Sequence, residues 1–104
     1  MIVEIVTFDL PRGTDRTKAM ELYRSSAAVW VTNKDLVEKY YFYDEAGCRG
    51  GGVYIWTSHE AAQRWHGEEY REMLRRSYGS VPSIEILDAL LHVDPAAGKA
   101  KTLP

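Results

Sequence analysis

Few residues in this chain are equipped for chemistry. It holds three His, one Cys, and thirteen Lys and Arg against fifteen Asp and Glu. Two side chains stand out for moving a proton. His66 follows Trp65 in a stretch of helical spacing and shares a helix stripe with Ala62, Tyr70, Met73 and Ser77. Ala61, Ala62, Trp65 and Met73 form a neighbouring stripe. Both stripes cannot point at the centre of a sheet, so His66 is expected at a pocket rim as base or donor, or half-exposed with no such role. Asp88 stands inside an apolar run. A buried carboxylate needs a partner or a raised pKa, and raised values cluster at sites. It reads either as a proton handler or as half of a salt bridge across a dimer. His59 is expected in solvent and His92 near an interface between copies.

The aromatic set is the second chemical resource, with seven Tyr and three Trp. Tyr23 and Trp30 fall on the inner stripe of a first helix. Tyr41, Tyr43, Tyr54 and Trp56 fall on a central hairpin, and Trp65 on the second helix. A buried phenol or indole needs a partner for its polar end. These seven are therefore candidates to line a cavity for a small aromatic or hydrophobic ligand, with plain core packing as the alternative. Cys48 lies beside a hairpin loop next to Arg49, where a reactive thiolate is conceivable but unsupported. Arg49-Gly50-Gly51-Gly52 opens a strand and not a helix, so the anion-binding geometry of a helix terminus is absent, and close backbone packing or a bulge is expected.

The elements that must position these groups follow from periodicity. Ile2–Phe8 alternates as a strand apolar on both faces, which implies a cover on both. Asp9–Thr14, with Pro11 and Gly13, is a loop. From Asp15 a helix presents Ala19, Leu22, Tyr23, Ser26 and Trp30 inward. Leu36–Tyr43 is a second strand, with Tyr41 and Tyr43 on one face and Tyr40 and Phe42 on the other. Asp44–Gly47 is a hairpin turn in which Gly47 can take a positive φ. Arg49–Thr57 is a third strand. Thr57 and Glu60 stand at capping-box spacing, and a helix runs from there to Arg76. Ser83–Val93 is a last strand. Residues 1–94 form one domain, and residues 95–104 are a loose tail or a dimer arm.

The order β-α-β-β-α-β predicts an α+β, ferredoxin-like fold with an antiparallel sheet. Two helices cover one sheet face. Val3, Ile5, Tyr41, Tyr43, Val53, Ile55, Ile84 and Ile86 cannot all hide beneath them, and a patch of that size is rarely left in water. A homodimer with sheets packed face to face is expected. Net charge is −2, with no basic stripe for nucleic acid and no polybasic run for a membrane. No signal-peptide pattern or bilayer-length apolar run occurs, and a single Cys fits a reducing compartment, so a cytoplasmic location is expected.

Gly51-Gly52-Val53-Tyr54-Ile55-Trp56-Thr57-Ser58, followed by Ala61-Ala62 and Trp65, resembles the dimeric α/β-barrel superfamily. Within it the chain is similar to the YdhR-like monooxygenases, relatives of the antibiotic-biosynthesis monooxygenases. Leu36-Val37-Glu38-Lys39 and Leu91-His92-Val93-Asp94 share the likeness, while Lys34-Asp35 stands where such proteins often carry Pro-Gly. The resemblance implies a pocket between sheet and helices in each subunit. There an aromatic or polyketide-like substrate, once deprotonated, supplies the electron that starts oxygen chemistry without metal or flavin. No dinucleotide motif, P-loop or metal-ligand cluster occurs in the sequence, so no cofactor is expected. Haem-degrading relatives use an Asn on the first strand with a Trp and a His on the second helix. Trp65 fits that Trp, but Ile2–Phe8 has no Asn and Glu68–Arg76 has no His. A non-catalytic binding or stress-related dimer, and a lyase or isomerase, are the competing readings on the same fold.

Overall fold

Alternating side chains in the first strand decide which way the sheet faces. In the computed structural model, which describes all 104 residues, β1 (Ile2–Asp9) turns Ile2, Glu4, Val6 and Phe8 inward and leaves Val3, Ile5 and Thr7 half-exposed on the other side. It lies between β3 (Arg49–Trp56) and β4 (Ser83–Asp88), and β2 (Leu36–Asp44) pairs with β3, giving the order β2-β3-β1-β4. All three pairings are antiparallel. The helices α1 (Arg16–Val31), α2 (His59–Trp65) and α3 (Glu68–Tyr78) complete the expected α+β arrangement.

Caps set the helix boundaries. Asp15 is the N-cap of α1 and accepts from the Lys18 N–H at 2.8 Å. Ser58, not Thr57, caps α2, and its hydroxyl accepts from the Ala61 N–H. The single helix expected to Arg76 is two helices, broken at His66 and Gly67. Gly79, at φ 77°, ends α3 in the left-handed conformation that glycine adopts without strain. In the central hairpin it is Cys48 that takes the positive φ, at 49°, and not Gly47. Gly47 donates its N–H to Asp44 instead.

The expected last strand is also divided. β4 ends at Asp88, and β5 (Leu91–Asp94) pairs with β6 (Lys99–Thr102) in a separate two-stranded hairpin. Residues 95–104, read from sequence as a tail or arm, therefore carry a strand of their own.

The core lies between sheet and helices around Trp56, Tyr54, Val6, Ala61, Ala62 and Leu74. Trp56 is fully buried, so truncating it to Ala costs about 3–5 kcal/mol. Strand register corrects the bare-face set. Val3, Ile5, Val53 and Ile55 do share the uncovered face, but Tyr41, Tyr43, Ile84 and Ile86 are in register with residues that face the helices. Tyr40, Phe42 and Leu87 take the outer positions instead. No helix is long and apolar enough to cross a membrane.

Candidate functional site

Three glycines make the site possible. β3 begins Arg49-Gly50-Gly51-Gly52, and a methyl group at Gly50 would collide with the Tyr23 phenol. Because that space is free, Tyr23 reaches from α1 to the sheet. It donates to the Phe42 carbonyl at 2.8 Å and accepts from the Gly51 N–H at 3.2 Å. Its ring stacks on Tyr41 with centroids 4.5 Å apart, and the Tyr41 hydroxyl shares a 2.6 Å hydrogen bond with Ser26. Tyr43 donates to the Thr14 carbonyl at 2.9 Å. One edge of the sheet is thereby tied to α1 through phenols.

Deeper in, Trp30 of α1 meets Tyr54, Trp56, His66 and Tyr70 edge-on, with centroids 5.5–6.3 Å away. The Tyr54 and Tyr70 hydroxyls are hydrogen-bonded at 3.0 Å. Burial pushes Tyr23, Tyr54 and Tyr70 above the ordinary phenol pKa, and Tyr78 up to about 12. These phenols stay protonated near neutrality. They cannot act as bases.

Two charged groups sit on this face, on either side of Tyr54. Glu4 of β1 and Lys39 of β2 are both its register partners. Glu4 is 0 % exposed. Its Oε1 accepts from Trp56 Nε1 at 2.9 Å and lies against His66 Nδ1. Burial drives the His66 pKa down, and Glu4 pulls it partway back. Glu4 Oε2 and both His66 ring nitrogens have no hydrogen-bond partner, and the polar atom against Nδ1 is Glu4 Oε1.

Lys39 has no carboxylate within ion-pair distance. Its Nζ lies over three rings instead, 3.7 Å from the Tyr41 centroid, 4.5 Å from Tyr54 and 4.7 Å from Trp30. Ring faces favour the ammonium. Burial opposes them and brings its pKa from 10.5 to about 7. Lys39 and Tyr41 line three adjoining hollows. One is an inner cavity of about 120 Å³ beneath α1 and α3. The other two are clefts between α1 and β2 of about 440 and 310 Å³.

The sequence candidates divide accordingly. Tyr23, Trp30, Tyr41 and Tyr54 converge on the hollows, Tyr43 lines the far end of the larger cleft, and Trp56 lies sealed behind them. Trp65 does not join them. It is 41 % exposed and donates to Asp35 at 3.1 Å. His66, expected at a rim or half-exposed, is 5 % exposed and walled by four rings; Ala62 and Tyr70 of its expected stripe are buried with it, while Met73 and Ser77, beyond the helix break, are exposed. Asp88 lies exposed at the end of edge strand β4, not buried. Lys39, Glu4 and Tyr70 were missed. Strand parity carried the signal for the first two: Glu4 alternates with Val6 and Phe8, and Lys39 with Tyr41 and Tyr43.

No family model matches the chain, and no curated protein matches it. Solved structures do. SnoaB, a cofactor-independent oxygenase from Streptomyces nogalater, superposes with a TM-score of 0.61 at 13% identity, covering 85% of this chain and 91% of that one. The ActVA-Orf6 monooxygenase of Streptomyces coelicolor, in complex with nanaomycin D, gives 0.64 at 18% identity, covering 90% and 91%. Rv0793 from Mycobacterium tuberculosis gives 0.64 at 13% identity, covering 90% and 100%. The fold is that of these three structures. Identities this low establish the ferredoxin-like architecture and leave the chemistry to be argued from this chain's own side chains.

Proposed function

We propose that this protein is a cofactor-independent monooxygenase acting on a small aromatic or polyketide-like phenol held between α1 and the sheet. The observation that carries this reading is Lys39: an amine stacked on aromatic faces, without a carboxylate partner, at the junction of three hollows. Burial brings its pKa to about 7, so it changes protonation near neutrality. The larger cleft is of a size that takes a small ligand, whereas the inner cavity is too small for one by itself.

Neutral Lys39 takes the phenol proton, and the resulting ammonium stabilises the phenolate. The phenolate passes one electron to O2. The two radicals join at the ring carbon para to the oxygen, and the peroxide takes the proton back from Lys39. Loss of water across the O–O and C–H bonds leaves a carbonyl, so one phenol and one O2 give one quinone and one water. Tyr23, Trp30, Tyr41 and Tyr54 exclude solvent and orient the ring. His66, committed to Glu4 behind a wall of rings, supports this shape and does not touch substrate.

The proposal includes a two-fold homodimer. Val3, Ile5, Val53 and Ile55 form the centre of an uncovered sheet face, continued by Tyr40 and Leu87. Leu90, Leu91 and Val93 beside it are also exposed. A second copy covers this surface, with the β5–β6 hairpin as its arm. Sedimentation at micromolar concentration tests this, and a folded monomer would refute it.

An oxygen electrode tests the chemistry. α-Naphthol, dihydroxynaphthalenes and anthrones are offered as substrates. At least one is expected to consume O2 mole for mole with quinone formed, and Lys39→Met to abolish the uptake. No uptake from any of them, with saturable binding, would favour the second reading, a non-catalytic small-molecule binder. The sealing of His66 is the observation on that side.

A further inference from the structure

We infer that the ligand of the α1–β2 cleft carries an acidic group, a carboxylate or its equivalent, on its aromatic ring. This rests on the reading of that cleft as the substrate site and adds to it the charge of the substrate.

The cleft of about 440 Å³ is walled on one side by Tyr41 and Tyr43 of β2 and on the other by Arg16 and Arg24 of α1, with Lys39 at its base. Arg16 and Arg24 stand eight residues apart on α1, and both line the cleft. None of the residues lining the cleft is acidic. None of the three cations joins an ion pair, although Lys18, Arg49, Arg64 and Arg75 all do. The acids of α1 and of β2 are engaged elsewhere: Asp15 caps α1, Glu21 pairs with Lys18, Glu38 accepts from the Tyr40 hydroxyl, and Asp44 pairs with Arg49.

Two unpaired guanidinium cations beside an aromatic wall, joined by Lys39 whenever it is protonated, repel one another and are relieved by an anion. A flat guanidinium pairs with a carboxylate through two parallel N–H bonds. The Tyr43 ring in the same wall has no stacking partner and can take an aromatic ring. An aromatic acid satisfies both at once: ring against Tyr43, acid toward Arg16 and Arg24, and phenol toward Lys39.

Salicylate and salicylamide test this. They share shape and phenol but differ in charge. Binding to the full-length protein, followed by calorimetry, is expected to be about tenfold tighter for salicylate, with the preference shrinking as salt rises. The double variant Arg16→Gln/Arg24→Gln should erase the preference while leaving salicylamide affinity unchanged, and Arg24→Lys should retain most of it. Both arginines are exposed, so the fold should survive. Equal affinity for the two ligands, a preference that outlasts the double variant, or no binding of either at millimolar concentration would each overturn the inference. Oxygen uptake from neutral α-naphthol without a charge preference sinks this inference and spares the oxygenase. A charge preference with no uptake from any substrate does the reverse.

Discussion

Glu4 and Lys39 sit on the same sheet face, each one strand away from Tyr54 and so roughly 10 Å apart. Both are charged groups placed where an apolar side chain is the norm. They have been accommodated in opposite ways. Glu4 is closed off, fully buried with Trp56 Nε1 and His66 Nδ1 on one oxygen. Lys39 has ring faces, no counter-charge, and open space on three sides. Tyr54 stands between them and keeps them from pairing with each other. A buried charge with a dedicated partner is structural, because the partner removes most of its reactivity along with its cost. A charge left half-desolvated beside a cavity keeps its reactivity for whatever enters.

Breaking the closed pair should give the largest effect. His66→Ala leaves Glu4 buried without its partner. That costs about 3–5 kcal/mol, and roughly 4–8 °C of Tm for each kcal/mol in a domain of this size. Glu4→Leu combined with His66→Leu should cost clearly less than the two single changes added together, because no orphaned charge remains. Thermal and urea unfolding of the four proteins provide the check. Additive losses would mean that the two groups are not coupled, and the contrast with Lys39 would dissolve.

Lys39→Met should do the opposite. It removes a poorly solvated amine and keeps the apolar stem, so stability should hold within about 1 kcal/mol or rise. Oxygen uptake should fall at least a hundredfold, the scale of a lost general base. Lys39→Arg should not restore it, because guanidinium does not release its proton in this range. A variant that unfolds while the remaining activity per folded molecule is unchanged would make Lys39 a second structural charge.

Stability against pH sharpens the comparison. Lys39 has its folded pKa lowered to about 7 from 10.5. Between those values the unfolded chain holds a proton that the folded chain lacks. Stability therefore rises with pH from about 7 upward, by at most about 1.4 kcal/mol per pH unit from this one group. His66, also lowered, has the same sign but acts below its ordinary 6.5: stability falls as pH drops from there toward the folded value. Above pH 9 tyrosine ionisation in the unfolded chain obscures the Lys39 contribution. The wild type minus Lys39→Met difference over pH 7–9 isolates it. A flat difference would show that Lys39 titrates as it does in water.

Much of this architecture was legible in the residues. Period-two runs gave four strands of the sheet, and the stripe Ala19, Tyr23, Trp30 gave the inner face of α1. What escaped was interaction across the sheet. Tyr23 finds its place because Gly50, twenty-seven residues later, leaves room for its hydroxyl and Gly51, twenty-eight later, donates its N–H to it, and no local pattern announces such a fit. The helix break at His66–Gly67 escaped because the apolar spacing continues through it. Lys39 sat in plain view in the run Glu38-Lys39-Tyr40-Tyr41, but a lysine in a strand normally points to water. Only the pairing with Tyr54 shows that this one does not.

Asp88 closes the comparison from the acidic side and should give the smallest effect. Like Glu4 it is a carboxylate in an apolar strand, and the two lie on adjacent paired strands, with Ile2 opposite Asp88 and Ile86 opposite Glu4. Sequence made Asp88 the more anomalous of the two, since its neighbours include Ile84, Ile86 and Leu87. Position in the sheet reverses that. Glu4 belongs to a central strand under the helices, whereas Asp88 ends the edge strand β4 and is exposed to water with no ion-pair partner. Water solvates it as well as any partner would. Asp88→Asn should thus change stability by no more than about 0.5 kcal/mol and leave oxygen uptake and its pH profile where they were. Glu4→Gln, an equally small chemical change, should cost several times more, because its buried oxygen faces both an indole N–H and an imidazole. If the two substitutions cost the same, burial on this face would not be what separates a structural charge from an idle one.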